Sequence, residues 1–311
     1  LTLARLQNKS AKATPIIGCI VDDINEPSDL YDAAVGEGLT AIKLVMPIKL
    51  APFLFNSTVA QCRQLAIHMI HRHGYKPSVF GFVIAKRIGI PIVATCHNWI
   101  IPNNAPFKMR LMIRIEKYLY RFFNRVIAVS EPVFITLKDS NIPASNLALI
   151  FNGISFEEFK GSLVTRESLD LNEDHFVIIN TARLTAVKNQ AWLITIVAAL
   201  VNEYSNIRLL LVGEGEDRKS LKNLTQELGI EEKVKFLGFQ SQVRALLALS
   251  DCFCLSSNDE GLPMSLLEAT ASKTAVISTN VGSVSAVIED GVSGFLIEPG
   301  DSEKFILCLR Q

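Results

Sequence analysis

Asp259 to Glu268 reads DEGLPMSLLE, with the carboxylates Glu260 and Glu268 separated by seven residues. A carboxylate repels phosphate but accepts hydrogen bonds from hydroxyl groups. Between the two lie Gly261, whose missing side chain lets a ligand approach the backbone, and Pro263, whose fixed φ suits the first residue of a helix. The apolar run DCFCLSS (Asp251 to Ser257) comes just before. The stretch therefore reads as strand, tight loop and helix N-terminus, a seat for phosphate. Phosphate together with hydroxyl acceptors describes a nucleotide sugar better than a bare nucleotide.

Cations to match the phosphate stand earlier in the chain. Arg183 lies at the carboxyl end of HFVIINTARL, and Lys188 follows just before AWLITIVAALV. At a strand-to-helix junction such a pair can clamp a diphosphate, each charged hydrogen bond contributing about 1.5–3 kcal/mol. Gly238 and Phe239 close the run KVKFLGF, where backbone groups and a ring edge can meet a nucleobase. His73 and His97 fall near the ends of strands in the first half, the place where open α/β sheets bind ligands. The run LVGEGEDR has Arg218 where a dinucleotide fingerprint needs its third glycine, which counts against a nicotinamide enzyme. No Asp-x-Asp stands at a strand end, Asp22 and Asp23 being adjacent, so no metal is expected.

These residues need elements to hold them, and the chain supplies an alternation. Apolar strand runs (15–23, 41–47, 90–97, 126–130, 175–184, 207–215, 233–239, 251–257 and 274–279) are separated by helical stretches at about 28–36, 58–71, 78–87, 106–125 and 220–228, the pattern of parallel α/β sheets. The polar stretch Glu157 to Asp174 reads as a linker, dividing a domain of residues 1–160 from one of 161–311. Of 311 residues 49% are hydrophobic, and the net charge is zero. That zero hides an asymmetry: Lys and Arg outnumber Asp and Glu 18 to 11 over residues 1–160, and are outnumbered 20 to 13 over the rest. A basic first half suggests an anionic partner. The cations of PFKMRLMIRIEKYLYRFFNR (106–125) alternate with apolar residues, as in an amphipathic helix resting on an anionic membrane surface; a half-buried helix with a solvated basic face fits the same pattern. Six cysteines without C-x-x-C or zinc spacing read as reduced core residues of a cytoplasmic protein. No run reaches the length of a membrane span, and nothing points to nucleic acid.

The ordered series TARL with Lys188, LVGEG, VKFLGF, DEGLPMSLLEATAS, STNVGS and EDGVSGFLIEPGD resembles glycosyltransferase family 4, the retaining GT-B enzymes. HRHGY, IPIVATCHNW, VIAVSE and FNGIS extend the resemblance more weakly over the first half. It implies a GT-B fold of two Rossmann-like domains, parallel sheets facing a cleft, with the acceptor side in 1–160 and the donor side in 161–311. It further implies that Arg183 and Lys188 bind the donor diphosphate, Glu268 the ribose and Glu260 the donor sugar. Gly261 and Leu262 would offer backbone N–H groups, and His73 would lie near the reacting carbon. The implied activity is metal-independent transfer of a hexose-type sugar, UDP-linked, to a glycan or lipid-linked acceptor in cell-surface polysaccharide, lipopolysaccharide or glycolipid synthesis. Such an enzyme is cytoplasmic or peripheral on the inner face of the membrane, and uses the nucleotide sugar as co-substrate with no other cofactor. The alternatives are a non-catalytic nucleotide-sugar binding module and a related GT-B epimerase. The family's opening strand with its glycine-rich loop and its closing helices are not in this sequence, which therefore reads as a fragment of a longer chain.

Overall fold

The computed structural model describes residues 1–10, 12–46, 51–97, 107–154 and 164–311, with the backbone alone at 51–55, 75–76 and 108–109. Two compact units result, one of residues 1–96, 101–127 and 140–147, the other of 97–100, 128–139 and 148–311.

The first unit contains α1 (Thr2–Lys9), β1 (Ile16–Val21), α2 (Asp29–Gly36), β2 (Thr40–Val45), α3 (Ala51–Gln64), β3 (Ile70–His73), α4 (Tyr75–Ile88), β4 (Ile92–Cys96) and α5 (Phe107–Leu119). β5 (Arg125–Ala128), α6 (Glu131–Lys138) and β6 (Leu147–Leu149) follow at the division of the chain. β1 and β2 pair in parallel, and β3-β4-β5-β6 form a second sheet in which His73 stands opposite Thr95. Local chemistry sets the helix ends. Ser28 caps α2 by accepting the Tyr31 N–H, and Ser130 caps α6 with Pro132 in its first turn. Gly89 ends α4 in the left-handed conformation, φ 82°. The sequence had placed a helix over about 58–71, but α3 ends at Gln64 and residues 70–73 are a strand. Ile67 and Ile70 continue an apolar rhythm that looks helical, yet Ala66 at φ 49° ends the helix before them and the core around Phe80 and Ile84 takes both side chains.

The second unit contains β7 (Phe176–Thr181), α7 (Gln190–Leu200), β8 (Ile207–Val212), α8 (Arg218–Glu227), β9 (Val234–Gly238), α9 (Val243–Leu249), β10 (Cys252–Leu255), α10 (Met264–Ala271), β11 (Ala275–Thr279), β12 (Phe295–Ile297) and α11 (Ser302–Leu309). Its sheet runs β12-β11-β10-β7-β8-β9, every pair parallel. Counted within the unit this is the order 6-5-4-1-2-3, a doubly wound sheet that grows outward in both directions from its first strand. The central strands are apolar on both faces, as a sheet covered by helices on both sides requires. Alternate residues serve the two layers: Ile178, Leu209 and Cys254 join the core under α7 and α11, while Val177, Ile179, Leu210 and Phe253 join the one under α9 and α10. All six cysteines are buried and none forms a disulfide. Gly282 is followed by a single 3-10 turn, Val284–Ala286.

Candidate functional site

Because the sheet grows both ways from β7, the loops leaving the carboxyl ends of its two central strands, β7 and β10, turn to opposite faces and leave a crevice between them. The loop after β7 carries Arg183 and Lys188; the loop after β10 carries Glu260, Gly261 and Leu262. Backbone and side-chain bonds tie the two loops together. The Asn258 N–H donates to the Val187 carbonyl at 2.8 Å, and the Ser256 hydroxyl to the Lys188 carbonyl at 2.9 Å. Inside the sheet the buried Asn180 amide donates to the Cys254 carbonyl at 2.8 Å, fixing one strand end against the other.

The result is an ion pair. Lys188 Nζ lies 2.6 Å from Glu260 Oε1, and the Ser257 hydroxyl donates to that same oxygen at 2.6 Å. The Glu260 side chain is only 7% exposed and that of Lys188 25%. One ammonium proton is used on Glu260, which leaves two for an anion. Both donors lie on Oε1 rather than Oε2. Arg183, by contrast, is well exposed and pairs loosely with Glu216 at 3.3 Å. Only its backbone is fixed, the Gln190 amide donating to its carbonyl at 3.1 Å.

Pro263 is the residue before α10 rather than its first residue, with ψ 128° and no side-chain cap bond at that helix end. The first N–H groups of α10 therefore lack intrahelical partners. Glu268, one turn further, has its carboxyl pushed up by burial, and the nearby charge of Arg244 pulls the other way. Gly282 closes the site from beneath: at φ 60°, a Cβ there would stand 2.2 Å from the Glu260 carbonyl oxygen. At Gly261 a Cβ would meet the His97 carbonyl oxygen at 2.3 Å. The Leu262 carbonyl is held by the Asn152 amide at 2.9 Å. Gly238 ends β9 at φ 69°, and Phe239 after it is 81% exposed. Lys188, Glu260, Gly261 and Leu262 are thus brought together, Glu268 follows on the adjoining helix, and Gly238 with Phe239 stand at the end of another strand of the same sheet.

In the first unit His73 ends β3 exposed, its ring 4.6 Å from that of His71. His97 is an exposed residue directly after β4. The basic stretch forms α5 and a 3-10 turn, Tyr120–Phe122. Phe107, Leu111, Tyr118 and Phe122 are exposed beside the exposed Arg110, Arg114 and Arg121. Asn98, Trp99 and Pro106 lie outside the described residues, as does Ser155 of the FNGIS stretch and the part of the linker up to residue 163. Among the described residues no helix is long and apolar enough to cross a membrane.

Sequence reasoning missed Ser257, Asn152 and Arg244, whose partners are set by the fold. It also missed a buried pair of Arg72 and Glu116. A signal for the last existed: Glu116 is the one acid in the stretch 106–125.

Comparison with known proteins adds the following. The family described as Glycosyl transferases group 1 matches residues 163–311, and that described as Glycosyltransferase Family 4 matches 31–158. A putative glycosyltransferase, EpsD, of Bacillus subtilis (strain 168) is 30% identical over 286 residues, covering 86% of this chain and 75% of the relative. The UDP-Gal:alpha-D-GlcNAc-diphosphoundecaprenol alpha-1,3-galactosyltransferase of Escherichia coli is 26% identical over 252 residues, covering 78% and 65%. The crystal structure of Anabaena HepE with UDP and glucose superposes at a TM-score of 0.84 with 22% identity, covering 98% of this chain and 84% of that one.

Proposed function

The chain belongs to the glycosyltransferases of the GT-B type, and on that premise we propose that it transfers a hexose-type sugar, with retention of configuration, from a UDP-linked donor to a lipid-linked or glycan acceptor in cell-surface polysaccharide, lipopolysaccharide or glycolipid synthesis. The observation that carries this reading is the Lys188–Glu260 pair, 2.6 Å long, at the sheet's reversal point. In the proposed complex Lys188 spans two groups: it orients Glu260 toward the sugar hydroxyls and offers its remaining protons to the diphosphate. Arg183, mobile on its exposed stem, swings in as the second cation. As the glycosidic bond breaks, negative charge grows on the leaving diphosphate, and these cations with the free N–H groups of α10 stabilise it. Glu268 takes the ribose hydroxyls, and hydrogen bonds from them offset the burial that opposes its charge. Gly261 and Leu262 offer backbone N–H groups, Gly238 and Phe239 meet the base, and His73 with His97 serves the acceptor side. No metal or further cofactor has a role in this scheme.

The Escherichia coli relative is named for UDP-Gal and GlcNAc-diphosphoundecaprenol, and the Anabaena structure holds UDP and glucose; both support a UDP donor. Thermal denaturation with UDP, UDP-glucose, UDP-galactose, UDP-GlcNAc and GDP-mannose tests it. At a hundred times its Kd a ligand stabilises the native state by about 2.7 kcal/mol, raising Tm by several degrees. A rise with UDP and at least one UDP-sugar is expected; none with any nucleotide overturns the donor assignment.

We further propose that the protein is cytoplasmic and rests on the inner face of the membrane. The exposed Phe107 and Tyr118 beside Arg110 and Arg114 support an anionic lipid surface. Co-sedimentation with vesicles of anionic lipid, lost in zwitterionic vesicles or at high salt, is the expected result.

A further inference from the structure

Behind His73 lies a set of charges that the reaction scheme leaves unused. Arg72 is 3% exposed, in the middle of β3, and its Nη1 lies 2.7 Å from Glu116 Oε1 on α5. The Tyr120 hydroxyl donates to the same carboxylate oxygen at 3.1 Å, and the Ser78 hydroxyl lies 2.7 Å from it. The guanidinium sits over the Tyr120 ring, 4.3 Å from its centroid, and within 5.5 Å of that of Phe123. The surroundings are buried, Tyr120 and Phe123 each being 1% exposed. Burial pushes the neighbouring Cys96 thiol up to about 12 even with Arg72 opposing the rise.

A buried ion pair is a poor device for stability, because well-packed apolar side chains of the same volume commonly do as well or better. What an apolar pair cannot do is bind a backbone oxygen. Arg72 Nη1 also reaches the Gly74 carbonyl at 3.1 Å, and Ser78 Oγ lies 2.9 Å from that carbonyl. Gly74 is the corner between β3 and α4, with φ 83°, and it caps α4 without a side chain. Residue 73 is therefore held between a strand residue anchored by Glu116 and a corner carbonyl anchored by the same guanidinium.

We infer that Arg72 and Glu116 form a positioning pair that fixes the direction in which His73 leaves the β3–α4 corner. The inference rests on the acceptor-side role proposed for His73 and assigns Arg72 no contact with substrate. Both acceptors, Glu116 Oε1 and the Gly74 carbonyl, are served from one nitrogen, Nη1, whose direction the planar guanidinium fixes; a lysine ammonium on a flexible stem does not orient its donors in the same way. Ser78 on α4 and Tyr120 after α5 bring their hydroxyls to the same Oε1.

The test replaces the network without stranding a polar group. In Arg72→Met/Glu116→Met/Tyr120→Phe the expected outcome is an unchanged circular dichroism spectrum and UDP affinity, with kcat for UDP release from the turned-over UDP-sugar at least 10-fold lower. In a His73→Ala background the same triple change is expected to have no further effect on kcat, since coupled residues are not additive. The His73 imidazole proton resonances, followed across pH by NMR, are expected to move in the triple variant. Unchanged resonances, or kcat within 2-fold of the parent in a folded variant, overturn the inference. If His73→Ala alone leaves kcat unaltered, it is the proposed role of His73 that fails, and the resonances still decide whether Arg72 positions the ring. Should the triple variant not fold, Arg72→Lys, which keeps the charge but not the fork, is judged by the same two readouts.

Discussion

Lys188→Ala is expected to reduce kcat/KM for transfer by about 10²- to 10³-fold, the range for loss of one preorganised group facing developing charge, and also to weaken binding of UDP alone. Both effects follow from its position. Its ammonium is the close cation of a carboxylate whose side chain is 7% exposed, so its removal leaves Glu260 without its cation and, in the proposed complex, takes a charge from the diphosphate. Glu260→Gln should behave differently. It keeps an acceptor of similar shape, removes a negative charge beside the phosphates, and frees Lys188 for them. UDP affinity is therefore expected to stay level or rise, while transfer falls by a similar factor because the sugar hydroxyls lose their charged acceptor. Titration of each variant with UDP, followed by steady-state turnover, separates the two. Equal loss of UDP affinity in both variants would contradict the division of labour between diphosphate and sugar.

The second large effect is expected where nothing polar is removed. A Cβ at Gly282 would lie 2.2 Å from the Glu260 carbonyl oxygen, 2.6 Å from that of Gly261 and 2.8 Å from the Glu260 carbonyl carbon. Those are backbone atoms, so relief requires the Glu260–Gly261 loop to move. The Ser283 N–H, which donates to the Gly261 carbonyl at 2.9 Å, would be pulled along. The left-handed backbone, φ 60°, adds about 1–2 kcal/mol for any residue with a Cβ, and overpacking about 1–3 kcal/mol more. Gly282→Ala should thus lower Tm by on the order of 10 °C and shift Glu260 away from Lys188, lowering turnover as well. Gly291→Ala is the control. Its φ is 74° but nothing lies within 4 Å of the added carbon, so only the conformational part of the cost should appear in calorimetry. Similar losses in the two variants would show that close approach to Glu260 is not what Gly282 provides.

Much of the second unit was legible because its strands are short, continuous apolar runs punctuated by glycine. The runs read at 207–215 and 233–239 contain β8 and β9. The first unit was harder. β3 is IHRH, with only one apolar residue in four, because its buried position is filled by Arg72 rather than by an aliphatic side chain, and no periodicity reports that exchange. The boundary at Pro263 was off for a related reason: the chain there is shaped by contact with a neighbouring loop, and local propensity carries no record of the neighbour.

By itself the sequence determined which residue types end each strand: cations after β7, carboxylates and a glycine after β10, a histidine at the end of β3 and another after β4. It determined the parallel alternation, and through its ordered motifs the family. Only the tertiary structure decided that Lys188 and Glu260, 72 residues apart, meet at 2.6 Å. The reason is the strand order. β10 returns to pair with β7 on the side away from β8, and that reversal places two loops of opposite charge over one crevice. The same holds for Arg72 and Glu116, 44 residues apart: each side chain was visible in the chain, but that they are buried against each other follows from packing α5 onto α4 and β3, which no single stretch encodes.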